Sequence, residues 1–156
     1  MHEQEHLLTE LETNLVRAST GKRFANYIID IISFYILAVI VGVFIALVSP
    51  SYVDEISRMN SFVDRIITMI FIGIYMGTIE AITKGRSLGK LITRTKAVME
   101  DGSKISAATA FARGFSRIVP FEPFSALGGS VPNPWHDRWT KTMVIDLKES
   151  MIINNQ

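Results

Sequence analysis

Two segments of this 156-residue chain are long and apolar enough to cross a lipid bilayer, and that limits its fold more than any other feature. The first, Phe24 to Val48, reads FANYIIDIISFYILAVIVGVFIALV. At about 1.5 Å per residue, a helix over it spans a hydrocarbon core of about 30 Å with some tilt. The second runs from about Phe62 to Ile82, with IITMIFIGIYMGTIEAI at its centre. The first 23 residues hold four acids and three bases, a poor match to a signal peptide's leading region. The apolar stretch is also too long for a signal sequence, so the reading is an uncleaved anchor.

Lysine and arginine set the orientation. Residues 49 to 65 hold only Arg58 and Arg65, whereas residues 83 to 117 hold eight bases, from Lys84 to Arg117. The positive-inside rule therefore predicts a multi-pass inner (plasma) membrane protein with both termini in the cytoplasm. Composition excludes other classes. The chain has no cysteine, so it has no disulfide framework and no thiolate metal or redox centre. A net charge of +1 argues against a nucleic-acid binder.

Beyond Gly85 the pattern changes. A strand is expected near 92–99, a turn at Asp101-Gly102, and a return near 103–105, because Asp-Gly between such segments signals a hairpin. Residues 142–146 (TMVID) make a further strand. Ser106 can cap a helix running to about Val119. On a helical wheel Ala107, Ala108, Phe111, Phe115 and Ile118 share one face, with Arg113 and Arg117 opposite. That pattern suits a helix on the membrane surface or, equally, one packed on the sheet. The fold class predicted is an all-α membrane protein with two antiparallel transmembrane helices, a small cytoplasmic β-hairpin or sheet, and an amphipathic interfacial helix. It forms one domain over 1–156, with a polar N-terminus (1–22), spans at 24–48 and 62–82, and a cytoplasmic or interfacial segment at 85–147.

Polar residues inside the spans carry the functional signal, since an aspartate at the centre of a spanning helix costs about 2.5–3.5 kcal/mol on insertion scales. Asp30 lies about 9 Å along the helix from Phe24. Asn26, Asp30 and Ser33 share a face. Arg23 is about 10.5 Å from Asp30 along the axis, too far for easy contact, so Arg113 or Arg117 is expected to reach Asp30 instead. Glu80 falls at the same end of the second span. This polar cluster reads either as an ion or proton site or as an anchor that docks the cytoplasmic segment through buried ion pairs.

Gly73 and Gly77, and Ala38, Gly42 and Ala46, are spaced for close helix packing within the chain or in a homodimer. The bases from Lys84 to Lys104 can bind anionic lipid or simply set topology. Trp135 and Trp139 suit an interfacial belt. His136 beside Asp137 has no second histidine or cysteine nearby, so a metal site is not expected. His2 and His6 read as a surface segment rather than a metal pair. There is no nucleophile–base pair, phosphate loop or ligand set, so the chain is not read as an enzyme and no cofactor is expected.

Four motifs in order resemble the RDD family of bacterial membrane proteins, named for one arginine and two aspartates. They are RFANYIID with Arg23 and Asp30, GRSLGKLITRTKAVMEDG from Gly85, the stretch from Phe111 to Arg117 with Arg113, and WHDRWTKTMVI with Asp137. The likeness covers about residues 18 to 147. It implies an inner-membrane helical protein for which transport of an unidentified ligand is the usual suggestion, with sodium/proton antiport in some members. The family is often drawn with a third hydrophobic segment. Here Pro120, Pro123, Pro132 and Pro134 break that region, so two spans are expected. The leading reading is a component of cation/proton or small-ligand transport in which Asp30 binds in alternation, aided by Glu80 and tuned by Arg23, Arg113 or Arg117. Two helices enclose no pathway, so that reading calls for a homo-oligomer. The alternative is a non-transporting scaffold in which Arg23, Asp30, Arg113 and Asp137 lock the sheet against the bilayer, and the basic surface binds anionic lipid or a partner protein.

Overall fold

The computed structural model describes residues 15–122, 125 and 133–154. Two long apolar helices, α1 (Thr20–Val48) and α3 (Ser61–Ile82), are joined by a short helix, α2 (Pro50–Ser57). Ser19 caps α1 by accepting from the Lys22 N–H, and Asn60 caps α3 by accepting from the Phe62 N–H. These bounds agree closely with the two predicted spans. Within the most apolar 18 residues of each helix, only 6% of α1 and 17% of α3 is buried. A core helix of a soluble protein would be mostly covered. Rows of exposed side chains such as Ile36, Ile40, Phe44 and Leu47 require an apolar solvent. Among the described residues no third helix reaches spanning length.

The remainder gathers at the Thr20 end of α1 and the Ile82 end of α3. It comprises α4 (Leu88–Thr93), β1 (Thr95–Met99), α5 (Ala107–Ser116), α6 (Trp135–Thr140), β2 (Thr142–Asp146) and α7 (Leu147–Asn154). β1 and β2 pair antiparallel, Thr95 opposite Asp146 and Met99 opposite Thr142. The strand expected from residue 92 starts three residues later because Ser87 caps α4, which ends at Arg94 in a left-handed conformation (φ 56°). The expected return at 103–105 is reduced to one bridge, Val98 to Lys104. The true partner strand is the one near the C-terminus. Ala18, Ala97, Ile105, Ala110 and Val144 form a small core between sheet and helices.

Helix α5 packs chiefly against α3, a partner that neither expected reading named. Ser106 does cap it, accepting from the Thr109 N–H at 3.0 Å, and the helix stops at Ser116. Its arginine face, however, points inward. Arg113 is fully buried and Arg117 partly so, while Ala107, Ala108 and Phe115 are exposed. The cause is close packing against α3, with acids waiting beneath. A Cβ on Gly114 would lie 2.5 Å from the Gly73 carbonyl oxygen and 2.8 Å from the Gly77 nitrogen. Phe111 covers Gly77 and Phe115 covers Gly73. Gly73 and Gly77 thus do pack a helix, but it is α5 rather than the first span. Ala38 and Gly42 are exposed, and a Cβ on Gly42 would meet nothing within 4 Å. The two spans touch chiefly where Phe34 meets the Tyr75 ring edge-on (5.5 Å between centroids) and Ser33 shares a 2.8 Å hydrogen bond with the Tyr75 hydroxyl.

Candidate functional site

Helix geometry puts Arg23, Asn26 and Asp30 of α1 on one face, and these are buried while the residues between them are not. Across from them stand Glu80 of α3, Arg113 of α5 and Asp137 of α6. Arg23 donates to Asp137 Oδ2 at 2.5 Å, and Arg113 donates to Asp137 Oδ1 at 2.5 Å. Arg113 Nε donates to Glu80 Oε2 at 2.9 Å, and Arg113 also donates to Thr142. Arg117 reaches Glu80 Oε1 at 2.8 Å, and Lys90 pairs with the same oxygen. One continuous ion-paired network therefore ties together both spans, α4, α5 and α6.

The network sets the charge states of its members outside the spans. Burial works to raise the Asp137 carboxyl, but the Arg113 charge, with His136 and Arg23 behind it, holds it well below the usual carboxylate range. Burial likewise opposes the Arg113 charge, and Glu80 and Asp137 more than offset it, raising its value. At Lys90, burial and the Arg117 charge prevail over the pull of Glu80, and the ammonium is lowered to about 8. His136 sits between Glu122 at Nδ1 and Asp137, whose Oδ1 is 3.3 Å from Nε2. Burial pushes its value below 6.5.

Asp30 stands apart from this network. Its Oδ1 accepts the Gly89 N–H at 2.7 Å, at the start of α4. Its Oδ2 is buried without a hydrogen-bond partner among the described residues, although the side chain is only 2% exposed as a residue. Gly89 is required there: a Cβ would fall 2.5 Å from the Asn26 carbonyl oxygen. Asn26 extends the same face, its amide bridging Thr93 (2.5 Å) and Thr95 (2.9 Å). Oriented to donate to Thr93 and accept from Thr95, the amide also reaches the Gly89 carbonyl. Beside Asp30 opens a cleft of about 60 Å³, enough for several water-sized groups, lined by Tyr27, Asp30, Met76, Lys90, Arg117 and His136 among others.

The charges singled out in the sequence meet at this end of the protein, but several of their pairings differ from those expected. Neither Arg113 nor Arg117 reaches Asp30. Both turn to Glu80, because α5 lies against α3 rather than α1. Glu80 is consumed by three cations and so does not assist Asp30. Arg23 does miss Asp30, as its spacing implied, and finds Asp137. Lys90 is 1% exposed and paired, so it is not one of the lipid-facing bases. Glu122 and Gly89 went unread. Gly89 had a signal in Ser87, three residues before Lys90, which marks a helix start. Glu122 had none, since a lone acid in a proline-broken stretch looks like a loop residue. His2 and His6 lie outside the described residues. Trp135 and Trp139 stack at 5.8 Å, with Trp139 exposed.

Comparison with known proteins adds one assignment. The model of the RDD family matches residues 17–146. Neither the curated proteins nor the solved structures yield a match to this chain. The matched range takes in Arg23, Asp30 and Asp137. The chain belongs to the RDD family.

Proposed function

We infer that the two apolar helices of spanning length anchor this chain in a membrane, as befits a family of membrane proteins. We propose that the chain is a multi-pass inner-membrane protein in which Asp30 binds a cation, a proton or a small ligand from the cleft as part of transport. The supporting observation is the buried, unpartnered Asp30 Oδ2 on the wall of that cleft. Glu80 and Asp137 are spent on fixed partners, whereas Asp30 Oδ2 is buried with none among the described residues, and an unsatisfied buried carboxylate oxygen costs about 1–3 kcal/mol that a ligand would recover. The eight bases near the sheet support a cytoplasmic position for that end by the positive-inside rule. Two helices enclose no route, so transport proceeds in a homo-oligomer.

The test is ion-driven proton flux in proteoliposomes. Sodium- or potassium-dependent flux is expected with the wild-type chain and is lost in Asp30→Asn. Equal flux in both, or none in either, contradicts the proposal.

A second reading has its own support. The chain Arg23–Asp137–Arg113–Glu80 reaches from one span to the other through α6 and α5. Such a clasp suits a scaffold that holds the sheet against the bilayer and offers its basic face to anionic lipid or a partner protein. On this reading Asp30→Asn lowers thermal stability, because Asp30 anchors the first turn of α4. A variant as stable as wild type removes Asp30 from the scaffold.

A further inference from the structure

Among the described residues, the cleft beside Asp30 has one unpartnered acceptor and one weakly partnered donor of opposite charge. One is Asp30 Oδ2. The other is Arg117 Nη1, whose contact among the described residues is the Met76 thioether at 3.9 Å, a poor acceptor. Both residues line the same cleft. Of the other charged groups there, Arg23 is engaged with Asp137, Lys90 with Glu80 and Ser87, and His136 with Glu122. Charge narrows the ligand further. The cluster holds four cations (Arg23, Lys90, Arg113, Arg117) and four anions (Asp30, Glu80, Glu122, Asp137), with His136 neutral. Any lone ion admitted at Asp30, a transported cation included, would add a charge that this buried set must offset at some cost. A zwitterion would not. Its ammonium meets Asp30 and its anionic oxygen meets Arg117.

The cleft's position adds a second constraint. It sits at the first turns of α1 with Phe24, Tyr27 and Met76 on its walls, and Phe24 is 58% exposed. These are the turns that lie at the headgroup level when α1 spans a bilayer. We infer that this cleft binds a zwitterion carrying a primary ammonium and a phosphate or carboxylate, with Asp30 and Arg117 as its two poles. The inference deepens the proposal above and rests on Asp30 lying at a binding site. Two sources supply that chemistry: the headgroup of phosphatidylethanolamine, or a free small zwitterion.

The test uses the full chain in detergent and reads the thermal midpoint as probes are added. The probes are phosphatidylethanolamine, phosphatidylcholine, phosphatidylglycerol, and water-soluble phosphoethanolamine and glycine. A ligand bound only by the folded state raises the midpoint, here by about 2–4 °C for each kcal/mol of binding linkage. Phosphatidylethanolamine is expected to raise it where phosphatidylcholine, with no ammonium N–H, and phosphatidylglycerol, with no ammonium, do not. A shift with phosphatidylethanolamine alone assigns the site to lipid. A shift with phosphoethanolamine or glycine as well assigns it to the free zwitterion. Asp30→Asn should abolish the shift, and Arg117→Gln should weaken it. Because the probe series is read first on the wild-type chain, a variant that fails to fold does not spoil it. Equal shifts from all three lipids, or no shift from any probe, overturn the inference. Ligand-specific shifts without ion flux would sink the transport proposal and leave this one standing.

Discussion

The two halves of α1 are held by different solvents. From Thr20 to Phe34 it buries Arg23, Asn26, Asp30 and Phe34, and each of the three polar side chains has a protein partner. From Tyr35 to Val48 it buries nothing and meets few other residues. The first half is specified by hydrogen bonds and charge, which have direction. The second is specified by hydropathy, which has none. Directional geometry is thus confined to the sheet-bearing end, which is where the proposed site lies, while the far end needs only to remain apolar and long enough.

The largest break in that contrast comes from Arg113, the hub of the buried network. Arg113→Met strips a partner from both Glu80 and Asp137, and breaking a buried pair this way costs about 3–5 kcal/mol. The expected outcome is loss of monodisperse protein on size exclusion, or a fall in thermal midpoint too large to miss. Next is the helix contact. Gly114→Val forces a side chain against the Gly73 and Gly77 backbone, and overpacking of this kind costs about 1–3 kcal/mol, readable by thermal denaturation in detergent.

Acid probes the same end more gently. His136 has its value pushed below 6.5 by burial, so the unfolded chain takes up this proton first as pH falls. Stability from His136 is complete above about pH 6.5 and declines below it. Asp137 is lowered in the folded state as well, and its contribution is lost as pH drops through 3.8 and beyond. The thermal midpoint should therefore fall between pH 7 and pH 5, and His136→Gln should flatten that part of the curve. The smallest effect belongs to the far end. Gly42→Ala meets open space and gains helix propensity, so monomer stability should be unchanged or rise by up to about 1 kcal/mol. A marked loss of oligomer on the same substitution would place Gly42 at a subunit contact.

Much of this was legible from residues alone because hydropathy and helical spacing act locally. Both spans, the 142–146 strand, the Ser106 cap and the shared face of Asn26 and Asp30 follow from neighbours in sequence. The pairings were not legible, because they depend on which helix α5 packs against. A helical wheel places Arg113 and Arg117 opposite Phe111 and Phe115, and a wheel read alone sends charge outward. Three glycines brought together from α3 and α5 reverse that, and no one-dimensional pattern links Gly114 to Gly73. The hairpin failed for a related reason. Asp101-Gly102 does turn the chain, yet strand β1 finds its full partner in β2, far along the sequence.

The central claim is that Asp137 holds the structure together while Asp30 is kept open for a ligand. Comparing Asp30→Asn with Asp137→Asn, in thermal denaturation and in the response to phosphatidylethanolamine, tests it most directly. The account predicts that Asp137→Asn lowers the midpoint steeply, whereas Asp30→Asn stays folded and loses the lipid response. Equal destabilisation by the two variants, or an intact lipid response in Asp30→Asn, would contradict it.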